Sequence, residues 1–146
     1  MWQKCSAICS AIERVFIPLL LFTIRFVWGV SFAITGWGKL QALPKTAAFF
    51  ASLHIPAPLF HSYLVGGIET LGGVLLILGL ASRVSSLLLS GLMLTALFLA
   101  HNLSSLSHLH DFPTLVQQAP VSYLFAALTI LAFGPGPLSL DAILKK

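Results

Sequence analysis

Charged residues are scarce in this sequence. Only 8% of its 146 residues are charged, and just four of them are acidic, whereas about a quarter is usual in a soluble domain. This excludes an ordinary soluble globular domain. The eight basic residues are scattered rather than clustered, which excludes a surface that follows a nucleic-acid backbone.

Cysteine is scarce as well, with Cys5 and Cys9 as the only two. Their spacing puts them on one face of a helix. A reducing cytosol disfavours a structural disulfide between them, which leaves a thiol redox pair and two small apolar residues as alternatives. No dinucleotide fingerprint, P-loop, CxxC or haem-attachment motif occurs, so we expect no covalent or nucleotide cofactor.

Long apolar runs dominate what is present, since 58% of the residues are hydrophobic. Runs of about 18 or more apolar residues are typical of helices that cross a membrane. Four such runs occur, at about 17–40, 62–81, 84–101 and 119–134. They fill most of the chain. The sequence therefore predicts an all-α membrane protein, with residues 1–146 forming one membrane domain built as an antiparallel bundle of four transmembrane helices.

Shorter segments flank these spans. Residues 2–16, a segment from about Lys45 to Leu53, and the chain after Ser139 are predicted to form interfacial helices at the N-terminus, in the first outer loop and at the C-terminus. Basic residues favour cytoplasmic loops. If the four spans alternate in direction, five basic residues outside them lie on the same side of the membrane: Lys4, Arg14, Arg83, Lys145 and Lys146. This places both termini in the cytoplasm.

Ionisable residues share helix faces with glycines in the first two spans. Positions i, i+4, i+7 and i+11 lie on one face of a helix. Small residues on such a face let membrane helices approach closely, so we expect the two faces to meet and the charges to point into the bundle. The stripes are Arg25, Gly29, Phe32, Gly36 and Lys39 in the first span, and Gly66, Glu69, Gly73, Leu76, Leu80 and Arg83 in the second.

Glu69 needs a partner, because an unpaired charge at mid-membrane costs at least about 2.5–3.5 kcal/mol. At helical rise, Arg25 lies roughly 12 Å and Glu69 roughly 18 Å from the cytoplasmic edge. We therefore expect an Arg25–Glu69 ion pair, with Lys39 as a competing partner. Such a pair either only sets helix register, or lines a partly hydrated pocket that binds a polar head group or relays protons.

Histidines provide the other candidate chemistry. His101 ends the third predicted span, where it either donates to a quinone carbonyl or caps the helix. The loop after it contains His108, His110 and Asp111, and His-x-His can reach one metal ion. Because no cysteine joins these residues, we interpret them as polar loop residues and expect no metal site.

Three segments together carry a family pattern. "RFVWGVSFAITGWGKL", "GGIETLGGVLLILGLASR" and "GPGPLSLDAIL" closely resemble the DoxX family of small four-helix membrane proteins, and the similarity covers about residues 20–144. The resemblance implies a multi-pass protein of the bacterial inner (plasma) membrane. Relatives include small subunits of thiosulfate:quinone oxidoreductase, and other bacterial members are named as oxidoreductases linked to quinones or thiol stress.

Carried over by position, the matching polar residues are Arg25, Lys39, Glu69 and Arg83. With His101 they form the expected ligand-binding set, in which Glu69 would exchange protons and Arg25 would hold its charge as the catalytic pair. The expected function is a membrane subunit of a quinone- or thiol-linked redox system, with quinone as its ligand and a separate redox partner protein.

The alternative function is a non-catalytic scaffold or assembly factor whose buried ion pair only sets helix register. Four spans without broken mid-membrane helices or inverted repeats argue against a transporter. The sequence leaves open the electron donor or acceptor, whether the chain is catalytic at all, and its oligomeric state, a homo-oligomer included.

Overall fold

The computed structural model describes residues 2–100 and 118–144. Six helices lie in these ranges: α1 (Trp2–Gln41), α2 (Leu43–Ser52), α3 (Pro58–Leu78), α4 (Ser82–Ala100), α5 (Ala119–Phe133) and α6 (Leu140–Leu144). The described part of the chain is otherwise turns and short connections, so the all-helical expectation holds there.

The N-terminal segment differs from the expectation. Residues 2–16 do not form a separate helix but continue into the first span, which makes α1 a single helix of 40 residues. No glycine precedes Gly29 in the sequence, so nothing there favours a break except Pro18. A proline inside a helix removes one hydrogen bond, and α1 accommodates Pro18 without ending.

Three helical segments are long and apolar enough to cross a membrane: Val15–Gln41, Pro58–Leu78 and Ser82–Leu99. The predicted fourth span corresponds to α5, which is apolar but has only 15 residues. At helical rise α5 is about 23 Å long, somewhat shorter than a hydrocarbon core of about 30 Å. It ends at Phe133, close to the predicted end of the fourth span, because Gly134 adopts a positive φ of 78° and terminates the helix.

The shorter predicted helices are both present as helices. α2 occupies the connection after the first span, and none of its residues is buried. α6 follows Ser139, whose Oγ accepts a hydrogen bond from Ala142 N at 3.2 Å. The predicted capping role of Ser139 is therefore confirmed.

α1 and α3 pack in close contact through the two predicted glycine stripes. A Cβ atom built on Gly36 would lie 2.5 Å from Thr70 N, and one on Gly73 would lie 2.5 Å from Ala33 N. Real Cβ atoms do not approach backbone nitrogen that closely. Gly29 lies opposite Ile77, so the two helices run antiparallel and their backbones nearly touch along the whole contact.

The apolar core lies where α1, α3, α4 and α5 meet. Phe32, Leu76, Leu89 and Ala127 are completely buried there. The Tyr123 ring packs edge-on against Phe32, with 4.7 Å between the ring centroids. This core fills the middle of the bundle and separates the polar groups at its two ends.

A matched pair of glycine substitutions tests the close contact between α1 and α3. Gly73→Ala should destabilise the protein by about 1–3 kcal/mol, because overpacking at a close helix contact forces the backbones apart. Gly91→Ala should be neutral or stabilising by up to about 1 kcal/mol, since a Cβ there meets no atom within 4 Å. Thermal unfolding in one detergent, followed by circular dichroism, compares the two. Equal unfolding temperatures would contradict the close α1–α3 approach.

Candidate functional site

Glu69 forms an ion pair with Lys39. The Lys39 Nζ atom donates to both carboxylate oxygens of Glu69, at 2.5 Å each. Only 2% of the Glu69 side chain is exposed, against 33% of the Lys39 side chain. The expected Arg25–Glu69 pair is therefore wrong, and the competing partner Lys39 takes its place.

The register of α1 and α3 explains this correction. The Glu69 Cβ lies level with Gly36, 2.7 Å from where a Cβ on that glycine would be, and Lys39 follows less than one turn later. Arg25 precedes Gly36 by eleven residues, or about 16 Å along the axis. The depth estimate failed because it aligned the cytoplasmic ends of the two spans. In the structure Arg25 contacts Gly79 at the end of α3, so α1 begins well before that level.

Arg25 instead binds backbone at the opposite end of the bundle. Its guanidinium donates to Pro135 O at 2.6 Å and to Leu138 O at 2.5 Å, and the residue is only 2% exposed. The prediction that Arg25 points into the bundle is correct. Gly79 makes room for it, since a Cβ at this left-handed position would lie 2.8 Å from the guanidinium.

Asp141 adds a second set of contacts to the C-terminal segment, between it and the α3–α4 turn. We call the contacts of Arg25 and Asp141 together the clasp. The Asp141 carboxylate accepts from Ala81 N at 2.8 Å and Ser82 N at 2.9 Å, which caps the N-terminus of α4. Its own backbone N–H donates to Gly79 O. Arg83 is exposed at this end, near Gly134. The clasp is thus a structural element that ties residues 134–141 to α1 and α4.

The four matching polar residues therefore form two separate groups rather than one pocket. Lys39 and Glu69 lie at the end of the bundle formed by the α1 C-terminus and α2, whereas Arg25 and Arg83 lie at the other end. The expectation of one ligand site that includes all four is wrong. His101, the His108–Asp111 loop and the side chains of Cys5 and Cys9 lie outside the described residues.

A cavity of about 620 Å³ lies beside the Lys39–Glu69 pair. α1, α2, α3, α4 and α5 all contribute to its wall, which is mostly apolar and aromatic. Besides Glu69 and the ring of Tyr123, six polar side chains line it: Thr35, Lys39, Lys45, Thr46, His61 and Thr95. An apolar cavity with a few polar groups in its wall is typical of a site for a small amphipathic molecule.

Sequence reasoning missed the contribution of α2 to this cavity. The helix was predicted, but its residues were assigned to the membrane interface without a partner inside the bundle. Phe49 and Phe50 of α2 line the cavity, as do Lys45 and Thr46. The signal available in the sequence was the pair of adjacent phenylalanines that begins three positions after Thr46, because two large apolar rings in a ten-residue connecting helix are expected to pack against a partner.

The chain matches a known family. Residues 20–102 fit the family model DoxX. The chain belongs to the DoxX family. The matched region contains Arg25, Lys39, Glu69 and Arg83 and most of the cavity wall, and the resemblance drawn from the three sequence segments is confirmed. This DoxX protein is a membrane protein with at least three helices suited to spanning.

Two relatives cover nearly the full length of this DoxX chain. It is 28% identical over 144 residues to inner membrane protein YqjF of Escherichia coli (strain K12), a match that covers 99% of this chain and 98% of that protein. It is 26% identical over 125 residues to inner membrane protein YphA of the same organism, covering 85% of this chain and 89% of YphA.

A third relative matches over a shorter region. The chain is 37% identical over 65 residues to the protein named "Putative oxidoreductase CatD" in Bacillus subtilis (strain 168). This match covers 44% of the chain and 47% of CatD, so it spans about half the length of that relative. No solved structure matches the chain.

A double-mutant cycle tests the ion pair between Lys39 and Glu69. Lys39→Met leaves the buried Glu69 charge without a partner and should cost about 3–5 kcal/mol of stability. Lys39→Met combined with Glu69→Leu should recover most of that loss. Unfolding free energies of the single and double variants in detergent measure the coupling. The same cycle for Arg25 and Glu69 should show additive effects, and strong coupling there would contradict the observed partners.

Substitution of Arg25 tests whether the clasp holds the C-terminal segment in place. Arg25→Met removes two charge-assisted hydrogen bonds, each of the order of 1.5–3 kcal/mol, and so should release residues 134–144 from α1. Hydrogen exchange of the Asp141 backbone amide should then accelerate by about tenfold or more. Arg83→Met is the control, because Arg83 is exposed at the same end. Unchanged exchange in Arg25→Met would show that the segment is held by other contacts.

Proposed function

We propose that this DoxX chain is a subunit of a redox system in the bacterial inner membrane, and that it binds a quinone-class amphiphile in the cavity beside Lys39 and Glu69. The observation that carries the proposal is a cavity of about 620 Å³ with one buried ion pair in its wall. The names of YqjF and YphA support the inner membrane, and that of CatD supports a redox role.

The residues present fit a quinone head group. Ligand cavities in proteins usually measure about 300–1,000 Å³ and combine apolar walls with a few placed polar groups. Phe49, Phe50 and Tyr123 contribute aromatic rings to the wall, and aromatic side chains pack favourably against another ring. When bound, a quinone would supply an acceptor for electrons and protons at its two carbonyl oxygens.

Lys39 is suited to hold one of those carbonyl oxygens. An ammonium group has three N–H donors, and the carboxylate of Glu69 accepts two of them. No described residue accepts the remaining N–H, which can bind a head-group oxygen within the cavity. Glu69 keeps the ammonium oriented, because its own side chain is fixed by burial. In this proposal Lys39 is the binding residue, and Glu69 positions it and exchanges protons through it.

The proposed topology has four spans with both termini in the cytoplasm. α5 acts as the fourth span, and its 15 residues are accommodated by local thinning of the bilayer or by the segments that flank it. In this orientation the Arg25 clasp lies on the cytoplasmic side. The cavity and the Lys39–Glu69 pair lie toward the opposite face, where Lys39 and Lys45 mark the boundary.

A second candidate function is a scaffold in which the ion pair only sets helix register. One observation favours it: both Glu69 oxygens are taken by Lys39 directly beside the Gly36–Thr70 contact. Buried ionic groups specify register even where they add little net stability. The scaffold requires no ligand, so binding separates the two functions.

Titration of the purified protein in lipid nanodiscs with a short-chain menaquinone or ubiquinone analogue tests the proposal. We expect saturable binding that Lys39→Met and Glu69→Gln each weaken by about tenfold, which corresponds to one charge-assisted hydrogen bond. Arg83→Met should bind as the wild type does. If no analogue binds, or if binding ignores both substitutions, the scaffold is the better description.

A further inference from the structure

The cavity contains a second cation that the ion pair does not neutralise. Lys45 of α2 lines the wall together with Lys39 and Glu69. Among the described lining residues, these three are the lysine, arginine, aspartate and glutamate residues. Lys39 and Glu69 neutralise each other. The described wall therefore has one positive charge in excess, and it is at Lys45.

Nothing in the first turn of α2 offsets this charge. The helix has no acidic residue in its first turn, and Ala42 at the N-cap provides no side-chain hydrogen bond. The positive end of a helix dipole favours anions and disfavours cations, so a lysine in this turn is an unfavourable choice for helix stability alone. Thr46, next to Lys45, also lines the wall, and its hydroxyl donates to Ala42 O at 3.1 Å.

Acidic residues elsewhere in the chain are few. The sequence has four, namely Glu13, Glu69, Asp111 and Asp141. Glu69 is bound to Lys39, and Asp141 binds backbone N–H groups at the other end of the bundle. Glu13 precedes Lys39 by 26 residues on α1, about 39 Å along the helix axis. Asp111 belongs to the segment outside the described residues, and its substitution tests whether the chain itself neutralises Lys45.

We propose that the cavity selects amphiphiles with an ionised acidic group, and that Lys45 is the residue that selects them. The ligand combines an apolar body, which contacts the aromatic wall, with one negative charge beside Lys45. A ring hydroxyl that is ionised at neutral pH and a fatty-acid carboxylate share this chemistry. This inference rests on the proposed function, because it names which members of the quinone class the same cavity prefers.

A matched pair of naphthoquinones with identical alkyl tails tests the inference, one of them with an acidic 2-hydroxyl on the ring and one without. In nanodiscs of neutral lipid at pH 7, the wild type should bind the hydroxylated compound about fivefold more tightly, as expected for one partly exposed charge pair. Lys45→Met should abolish this preference and leave affinity for the neutral compound unchanged. Arg83→Met, which removes a cation outside the cavity, should keep the preference.

The other outcomes are equally decisive. Equal affinities in the wild type, or a preference that survives in Lys45→Met, would overturn the inference and leave the proposed function standing. If neither quinone binds but a fatty acid binds in a Lys45-dependent manner, the selection by Lys45 is supported and the quinone function fails. If none of the three binds, both proposals fail. Asp111→Asn should leave the preference unchanged, and a preference that appears only in this variant would show that Asp111 neutralises Lys45 and would overturn the inference.

Discussion

The close approach of α1 and α3 is the constraint from which the positions of the polar groups follow. Gly36 and Gly73 bring the two backbones nearly into contact, and a contact of this kind admits only one register because any shift would place a side chain against backbone. In that register Lys39 reaches Glu69. The same register carries Arg25 to the far end of α3, where the carbonyl groups of the C-terminal segment bind it.

Burial of charge in this protein is resolved differently at the two ends of the bundle. Glu69 is neutralised by Lys39, whose side chain is 33% exposed. Its aliphatic part extends toward the surface. Two terminal nitrogens of Arg25 donate to the carbonyl oxygens of Pro135 and Leu138, in the segment where Gly134 and Gly136 have positive φ. Its Nε has no hydrogen-bond partner among the described residues. Backbone carbonyl groups outside a helix are acceptors without net charge. The Lys39–Glu69 pair leaves an N–H donor beside a cavity, whereas the Arg25 contacts hold the C-terminal segment against α1. For this reason only the Lys39–Glu69 end of the bundle is proposed as a ligand site.

Several features were predictable from the sequence because they depend on local patterns. The helical class and three of the spans follow from apolar runs, and the facing glycine stripes follow from helical periodicity alone. The burial of Arg25 and Glu69 followed from their positions on those stripes. Ser139 was predictable as a cap because serine at a helix start accepts a hydrogen bond from the next turn. The fusion of residues 2–16 with α1 was not predicted, because these residues were interpreted as a separate interfacial helix.

What the sequence by itself determined is the set of faces: which residues turn inward, which helices are apolar enough for a membrane, and that Glu69 needs a cation. Only the tertiary structure decided which cation it is, because Arg25 and Lys39 share one stripe and differ only in axial register. The tertiary structure also brought α2 over the cavity and the C-terminal segment onto Arg25. Contacts between residues 110 or more positions apart depend on how separate helices pack, and helical periodicity carries no information about that.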